Sequence, residues 1–432
     1  MIFSFLSKYF KDFLPIFLFL LYFLTGFNNY NGAIDKIGFQ WLYLSVFNII
    51  AIIFFYYKKE ILINLKAVLS SSIIISFSLF FLWSVLSLLY AFNTTESLLL
   101  ISRWLICLIT VINLSLLLLS IKIDHKLISV LISIIFICEL YFSLSTFLQI
   151  IFITDFDFSY SNLLKGVTGN KNITSSILAL KLPFLLYFFH FNKNKILQVI
   201  LFVSYFLGLI TMYALSSRAI FISLSLISLI LLILTIFYKY KDFILYSSFR
   251  KITSFHFVAL IFSLLFFQSF QSKDSNVSLL SRVTSINTTD TSTSQRLRYY
   301  DHALDFVLNN PLIGVGVGNW KIKSIDYDKN FINGYTVPYH VHNDFLEITT
   351  ELGVIGLILY LAIFISVLFS LFKNFKNRST NTKIFIYMVF LSGIIYFIDA
   401  NLNFPYARVI NQIMFLSLLA LSIVNQIKFK TK

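Results

Sequence analysis

The chain has 432 residues, of which 58% are hydrophobic and only 12% charged. Soluble globular proteins carry about 25% charged residues, so this composition excludes an ordinary water-soluble fold and makes lipid the main solvent. The formal charge of +15 would suit a nucleic-acid partner only if the basic residues gathered on one surface, and their placement along the chain argues against it.

A helix needs about 20 apolar residues to cross the hydrocarbon core, and runs of that kind predict an all-α polytopic membrane protein of about twelve transmembrane helices. In chain order the expected spans are 13–27, 38–57, 67–92, 98–121, 127–153, 173–191, 196–215, 219–238, 252–270, 352–372, 384–398 and 409–427. Lys8 and Lys11 before the first run imitate a signal peptide, but no small-residue cleavage site follows, so that run is read as a retained helix. Cys107 and Cys138 lie inside apolar runs and offer no disulfide framework. An even number of spans places both termini on one side, and the lysine and arginine asymmetry makes that side cytoplasmic. Of the 34 basic residues, 20 then fall in inner segments, 5 in short outer loops, 7 in one long outer loop and 2 within the membrane.

Three regions follow: spans one to nine (1–270), a mainly helical outer loop domain (271–351), and the last three spans with a cytoplasmic C-terminus (352–432). Within the loop, 283–294 is rich in Ser, Thr, Asn and Asp and reads as mobile. The spacing of Leu297, Tyr300, Leu304 and Leu308 predicts an amphipathic helix over 295–309, lying near the membrane surface and ended by Pro311. PLIGVGVGNW (311–320) reads as a tight turn rather than a phosphate loop, because no Lys-Ser/Thr follows and there is no βαβ unit. Asn343 or Asp344 then caps a helix that turns Phe345, Leu346 and Leu352 inward and runs on into the tenth span.

Ionisable residues in an apolar helix are costly, which makes them candidates for pairing or function. Glu139 and Lys181, each near the middle of a span, are expected to form a buried ion pair. Arg103, Arg218 and Arg408 sit at the outer ends of three spans, with Arg296 and Arg298 at the start of the loop helix. A lone arginine there is equally well explained by snorkelling to headgroups. Five on one side point to an anionic, lipid-linked substrate, since the planar guanidinium grips a diphosphate through paired hydrogen bonds. His125 and His190 fall by inner loops and His256 within a span, leaving His302, His340 and His342 for an outer site. His302 is expected at the surface of the loop helix. An imidazole can take a proton from a hydroxyl nucleophile. The His340-x-His342 spacing also suits a metal, but without a third ligand that site is weak.

Four stretches resemble the O-antigen ligase and polymerase superfamily of bacterial envelope glycan transferases: GNKNITSSILALKLP (169–183), LSSRA (215–219), QRLRYYDHALDFVLNNPLIGVGVGNW (295–320) and HVHNDFLEITTELGVIGLILYL (340–361). The family often has tryptophan at the position of Tyr300. The resemblance implies transfer of a glycan from an undecaprenyl diphosphate carrier to an acceptor hydroxyl on a glycolipid, glycan or protein. The reaction would take place at the periplasmic face of the bacterial inner membrane, with no nucleotide, metal or other cofactor and no nucleic acid. By position it casts His342, Arg296 and Arg218 as catalytic. Arg298, Arg103, His340, Asn343, Arg408 and Asn172 are expected to be the accompanying substrate contacts. Lipopolysaccharide ligases, polymerases and protein O-oligosaccharyltransferases share these motifs. A transporter is the competing class, since twelve spans with both termini inside is also a carrier layout. Two-halved carriers place their long loop centrally in the cytoplasm, whereas here the connection after span six is only 192–195.

Overall fold

The computed structural model describes residues 2–27, 35–121, 125–270, 291–331 and 339–427. Among these, eleven helices are long and apolar enough to cross a membrane, with the shorter apolar segment Phe13–Phe27 before them. No strand is present among the described residues. The chain is an all-α, multi-pass membrane protein. Segment 283–290, expected to be mobile, lies outside the described residues, and 291–294 form the first turn of a helix.

The helices are α1 (Ile2–Leu24), α2 (Lys36–Tyr57), α3 (Leu65–Leu69), α4 (Ser72–Leu86), α5 (Thr94–Ser120), α6 (His125–Ile153), α7 (Lys171–Phe191) and α8 (Lys195–Leu215). They continue with α9 (Arg218–Lys239), α10 (Phe243–Ser269), α11 (Thr291–Asn309), α12 (Trp320–Asp328), α13 (Asp344–Phe372), α14 (Thr380–Leu402) and α15 (Val409–Ile427). The first amides of a helix have no partner inside it, and short carboxylate or amide side chains supply one. Asp35, Asn93, Asn170, Asn194, Asp242 and Asn343 each accept from such amides, at the starts of α2, α5, α7, α8, α10 and α13. The Asp242 cap explains why α10 begins nine residues before the expected 252.

The chain divides into two compact units. The first comprises 1–122, 287–373 and 400–432. Its bundle is tied by a buried polar knot: the Tyr22 hydroxyl and the Asn113 amide both donate to Asn48 Oδ1 at 3.0 Å, and Asn48 donates to Thr110 Oγ1 at 2.9 Å. Such bonds join helices where lipid supplies no hydrophobic drive. The second unit comprises 123–286 and 374–399. There Lys181 Nζ meets Glu139 Oε2 at 2.7 Å, with both side chains 1% exposed, so the expected ion pair forms. Lys181 also donates to the Ile177 carbonyl, and Ser176 to Asp399.

In the first unit, α13 is broken at Gly353, whose φ of 69° lies in the left-handed region. The break frees carbonyls that a straight helix would occupy, and the glycine-rich turn after Pro311 takes them. Val315 N–H donates to Thr350 O at 3.0 Å and Gly316 N–H to Glu351 O at 2.9 Å, while Val354 N–H returns a bond to Pro311 O at 2.8 Å. Trp83 Nε1 caps Leu352 O at 3.0 Å. A Cβ on Gly314 would lie 2.5 Å from the Thr350 oxygen, so only glycine admits this approach. The GVGVG string is a docking turn, in agreement with its reading from the sequence.

The loop helix α11 forms as expected, and it packs into the protein by an arc other than that of its leucines. Ala303 and Phe306 pack with Trp320 and Val341, joined by Tyr300 and Tyr327. Leu297, Leu304 and Leu308 are exposed. The small and aromatic side chains fit against α12, and the leucines, on the opposite arc of the helix, do not. His302 is not a free surface residue either, because its Nδ1 lies 3.7 Å from Asp328 with the side chain 19% exposed.

Candidate active site

The turn between α14 and α15, residues 403–408, carries Phe404, and the site is built around this ring. His340 stacks on it with ring centres 4.4 Å apart, His342 meets it edge-on at 4.9 Å, and the Arg408 guanidinium lies 5.2 Å from its centre. From α11, Arg296 donates to Asn403 in the same turn at 3.3 Å. Tyr300, one helical turn on, donates through its hydroxyl to the His342 carbonyl at 3.0 Å and the Asn401 carbonyl at 3.3 Å. A tryptophan there could offer one N–H in place of that hydroxyl.

His342 stands in the left-handed region with φ 65°, which is uncommon for a residue other than glycine and costs of order 1–3 kcal/mol. The conformation delivers its ring against Phe404 and lets Asn343 follow as the helix cap, accepting from Leu346 N–H at 3.0 Å. Its Nδ1 is buried with no hydrogen-bond partner among the described residues. Burial, with Arg296 and His340 nearby, pushes its pKa down to about 4, so the ring is neutral near pH 7 and one nitrogen remains open to accept a proton or a hydrogen bond.

His340 is held differently. Its Nδ1 donates to Glu347 Oε1 at 2.8 Å, and the same carboxylate accepts from Val341 N–H at 2.8 Å and from the Tyr406 hydroxyl. Burial and the neighbouring carboxylates hold the Tyr406 phenol well above its ordinary pKa, so it stays a donor. Tyr406 N–H in turn donates to Asp344. His340 borders a cleft of about 50 Å³, lined among others by Arg103, Lys321, Tyr339 and Glu351. Arg103 lies against the Trp41 ring, and its Nε has no hydrogen-bond partner among the described residues.

Seven of the nine residues singled out from the sequence belong to this first unit. His340, His342 and Arg408 converge on Phe404, and Arg296 bonds to Asn403 beside it. Arg103 joins through the cleft, and Asn343 serves as a cap. Arg298 is engaged elsewhere: its Nε donates to Asp328 at 2.7 Å and its guanidinium stacks 4.3 Å from the Phe331 ring. Arg218 and Asn172 belong to the second unit. Arg218 opens α9 after a corner in which Ser216 adopts φ 50°, and Asn172 sits in the first turn of α7. Among the described residues there is no group of three or more His, Cys, Asp or Glu side chains arranged to hold a metal ion.

The sequence reading passed over Phe404, Tyr406 and Glu347. Asp344, Glu347 and Glu351 recur at helical spacing along one side of an otherwise apolar helix, which is the signal that could have drawn attention to them.

The fold and site together define a polytopic helical membrane protein with a partly buried arginine–histidine centre where its loop helix meets the turn before the last span. Residues 203–361 match the family model described as O-antigen ligase, so the resemblance carried by the motifs holds over that segment. A protein of Rickettsia conorii named "Putative polysaccharide ligase" is 33% identical over 108 residues, which is 24% of this chain and 26% of the relative. One of the same name from Rickettsia felis is 31% identical over 109 residues, with the same coverage. The aligned stretch thus spans about a quarter of each relative's length.

Proposed function

We propose that the protein is a glycan transferase of the O-antigen ligase type. It would move a glycan from undecaprenyl diphosphate to an acceptor hydroxyl, such as that of a lipid A-core sugar, at the periplasmic face of the bacterial inner membrane. The observation that carries this reading is the gathering of Arg408 and two histidines on Phe404, with Arg296 on the adjacent Asn403, within and beside the segment that matches the O-antigen ligase model.

In this reading the acceptor oxygen attacks the anomeric carbon, and the bond from that carbon to the diphosphate breaks. Negative charge grows on the leaving diphosphate, and preformed cationic donors there lower the barrier, commonly the largest electrostatic contribution to such catalysis. Arg296 takes that role, with Arg408 and Arg103 adding positive potential for the anionic carrier. His342, neutral and with an open nitrogen, receives or orients the acceptor hydroxyl. No step calls for a nucleotide or metal. In this reading 1–270 are the first nine spans, 271–351 the periplasmic loop domain, and 352–432 the last three spans with a cytoplasmic C-terminus.

A deletion strain, scored for three products, tests the proposal and its variants together. Lipopolysaccharide lacking attached polymer identifies a ligase, a single repeat unit identifies a polymerase, and loss of protein glycosylation identifies an O-oligosaccharyltransferase. An unaltered envelope in all three respects refutes the proposal. Labelling of introduced cysteines from the cytosolic side within 291–331 would refute the periplasmic placement.

A further inference from the structure

The second unit holds a cavity of about 560 Å³, none of whose lining residues has a role in the transfer reaction proposed above. It lies between the end of α7 and the first turns of α10, and its polar lining is His190, Ser247, Ser248, Arg250, Lys251 and Ser254. Its volume is within the roughly 300–1,000 Å³ usual for small-molecule sites. No carboxylate lines it, because Asp242 at the head of α10 is spent as the cap on the Ile244 and Leu245 amides. Among the described residues neither Arg250 nor Lys251 forms an ion pair. Lys251 is braced against α7: its Nζ donates to the His190 carbonyl at 3.0 Å and lies 4.9 Å from the centre of the Phe189 ring. An ammonium has three N–H groups, so two remain for another acceptor. Arg250 rests 5.6 Å from the Tyr246 ring centre, and His190 Nδ1 is buried with no hydrogen-bond partner among the described residues.

The course of α10 says what kind of anion suits the cavity. At about 1.5 Å per residue, 252–269 extends about 27 Å, close to the roughly 30 Å thickness of the hydrocarbon core. Arg250 and Lys251 therefore stand at the boundary where bilayer phosphates lie. Ser247, Arg250, Ser254, Val258, Ile261 and Leu265 recur at helical spacing on one face, and the last three are exposed apolar side chains. Cations at the boundary followed by an apolar stripe into the membrane match a phosphate followed by acyl chains. A soluble anion would use the cations and leave the stripe idle. Basic pockets between spanning helices are known to take anionic headgroups.

We propose that this cavity binds the phosphate of an anionic glycerophospholipid. Arg250 and Lys251 hold the phosphate, His190 and the serine hydroxyls face the rest of the headgroup, and the acyl chains run along Val258, Ile261 and Leu265. The bound lipid bridges α7 and α10.

The test titrates full-length protein in neutral detergent with phosphatidylglycerol, with phosphatidylcholine and with inorganic phosphate, counting bound adducts by native mass spectrometry. Phosphatidylglycerol is expected to bind ahead of phosphatidylcholine. Arg250→Gln/Lys251→Gln is expected to weaken it about 30-fold, and Arg250→Gln alone about fivefold, from the usual contribution of a basic residue near a membrane surface. Lys239→Gln/Lys241→Gln neutralises two lysines at the same end that do not line the cavity, and should leave binding unchanged. Arg250 is exposed, so its single variant keeps the fold and separates lost binding from lost structure. Equal losses in the two double variants would show diffuse surface charge and overturn the site. Equal affinity of the wild type for both lipids, or unchanged binding by Arg250→Gln, would do the same. Inorganic phosphate that fills the site and blocks phosphatidylglycerol would assign it to a soluble anion and overturn the lipid.

Discussion

Replacing Gly353 with alanine adds one methyl group at the break in α13. Built on the backbone, its Cβ falls 2.0 Å from the Leu312 oxygen, 2.2 Å from the Leu312 carbonyl carbon and 2.5 Å from Ile313 N. All three are main-chain atoms, so no side-chain rotation relieves the overlap. The backbone there, φ 69° and ψ −174°, lies in a region essentially confined to glycine and adds about 1–3 kcal/mol for a residue with a Cβ. Displacing a packed segment to admit an extra carbon costs about 1–3 kcal/mol, giving roughly 2–6 kcal/mol together. The strain falls on the bonds of Val315, Gly316 and Val354 that hold the turn to the helix. The expected outcome is a clearly lowered melting temperature for the purified protein in detergent, with protease sensitivity appearing near 311–318. Gly393→Ala is the control, since nothing lies within 4 Å of its Cβ and it sits inside a helix at ordinary φ. It should be neutral or stabilising by up to about 1 kcal/mol. Equal melting temperatures for the two variants would refute the account of the kink.

Lys181→Met leaves Glu139 buried without its partner and is expected to cost about 3–5 kcal/mol, whereas pairing it with Glu139→Leu recovers most of the loss. Thermal unfolding of the single and double variants measures the difference, and additive losses would contradict the buried pair. His342, labelled at its ring carbon and followed by NMR, should stay neutral until the pH approaches about 4. Unfolding returns the group to its ordinary value near 6.5, so the unfolded chain binds more protons between these values. The stability that depends on His342 is therefore complete above about 6.5 and declines as pH falls toward 4. A midpoint at the ordinary value would contradict the burial of this ring.

The spans, their order and the Asn343 cap were readable in the sequence because they are local: apolar runs set helices, and an amide side chain before a helix satisfies its first N–H groups. Glu139 and Lys181 were readable as a pair because an isolated charge in that setting is too costly to keep. Phe404, Tyr406 and Glu347 were not, because their role depends on a turn near residue 404 meeting a segment some sixty residues earlier, which no periodicity encodes. The left-handed backbone of His342 was hidden too, since its sequence neighbours contain no glycine to announce it. The loop helix shows the limit of spacing arguments: leucines at a helical interval identified the helix, yet Ala303 and Phe306 made its core.

The central claim is tested most directly by assaying glycan transfer in permeabilised membranes that contain His342→Ala or Arg296→Ala protein at wild-type abundance. Both variants are expected to yield no transferred glycan while undecaprenyl-diphosphate-linked donor accumulates. Transfer at the wild-type rate by either one would contradict the claim.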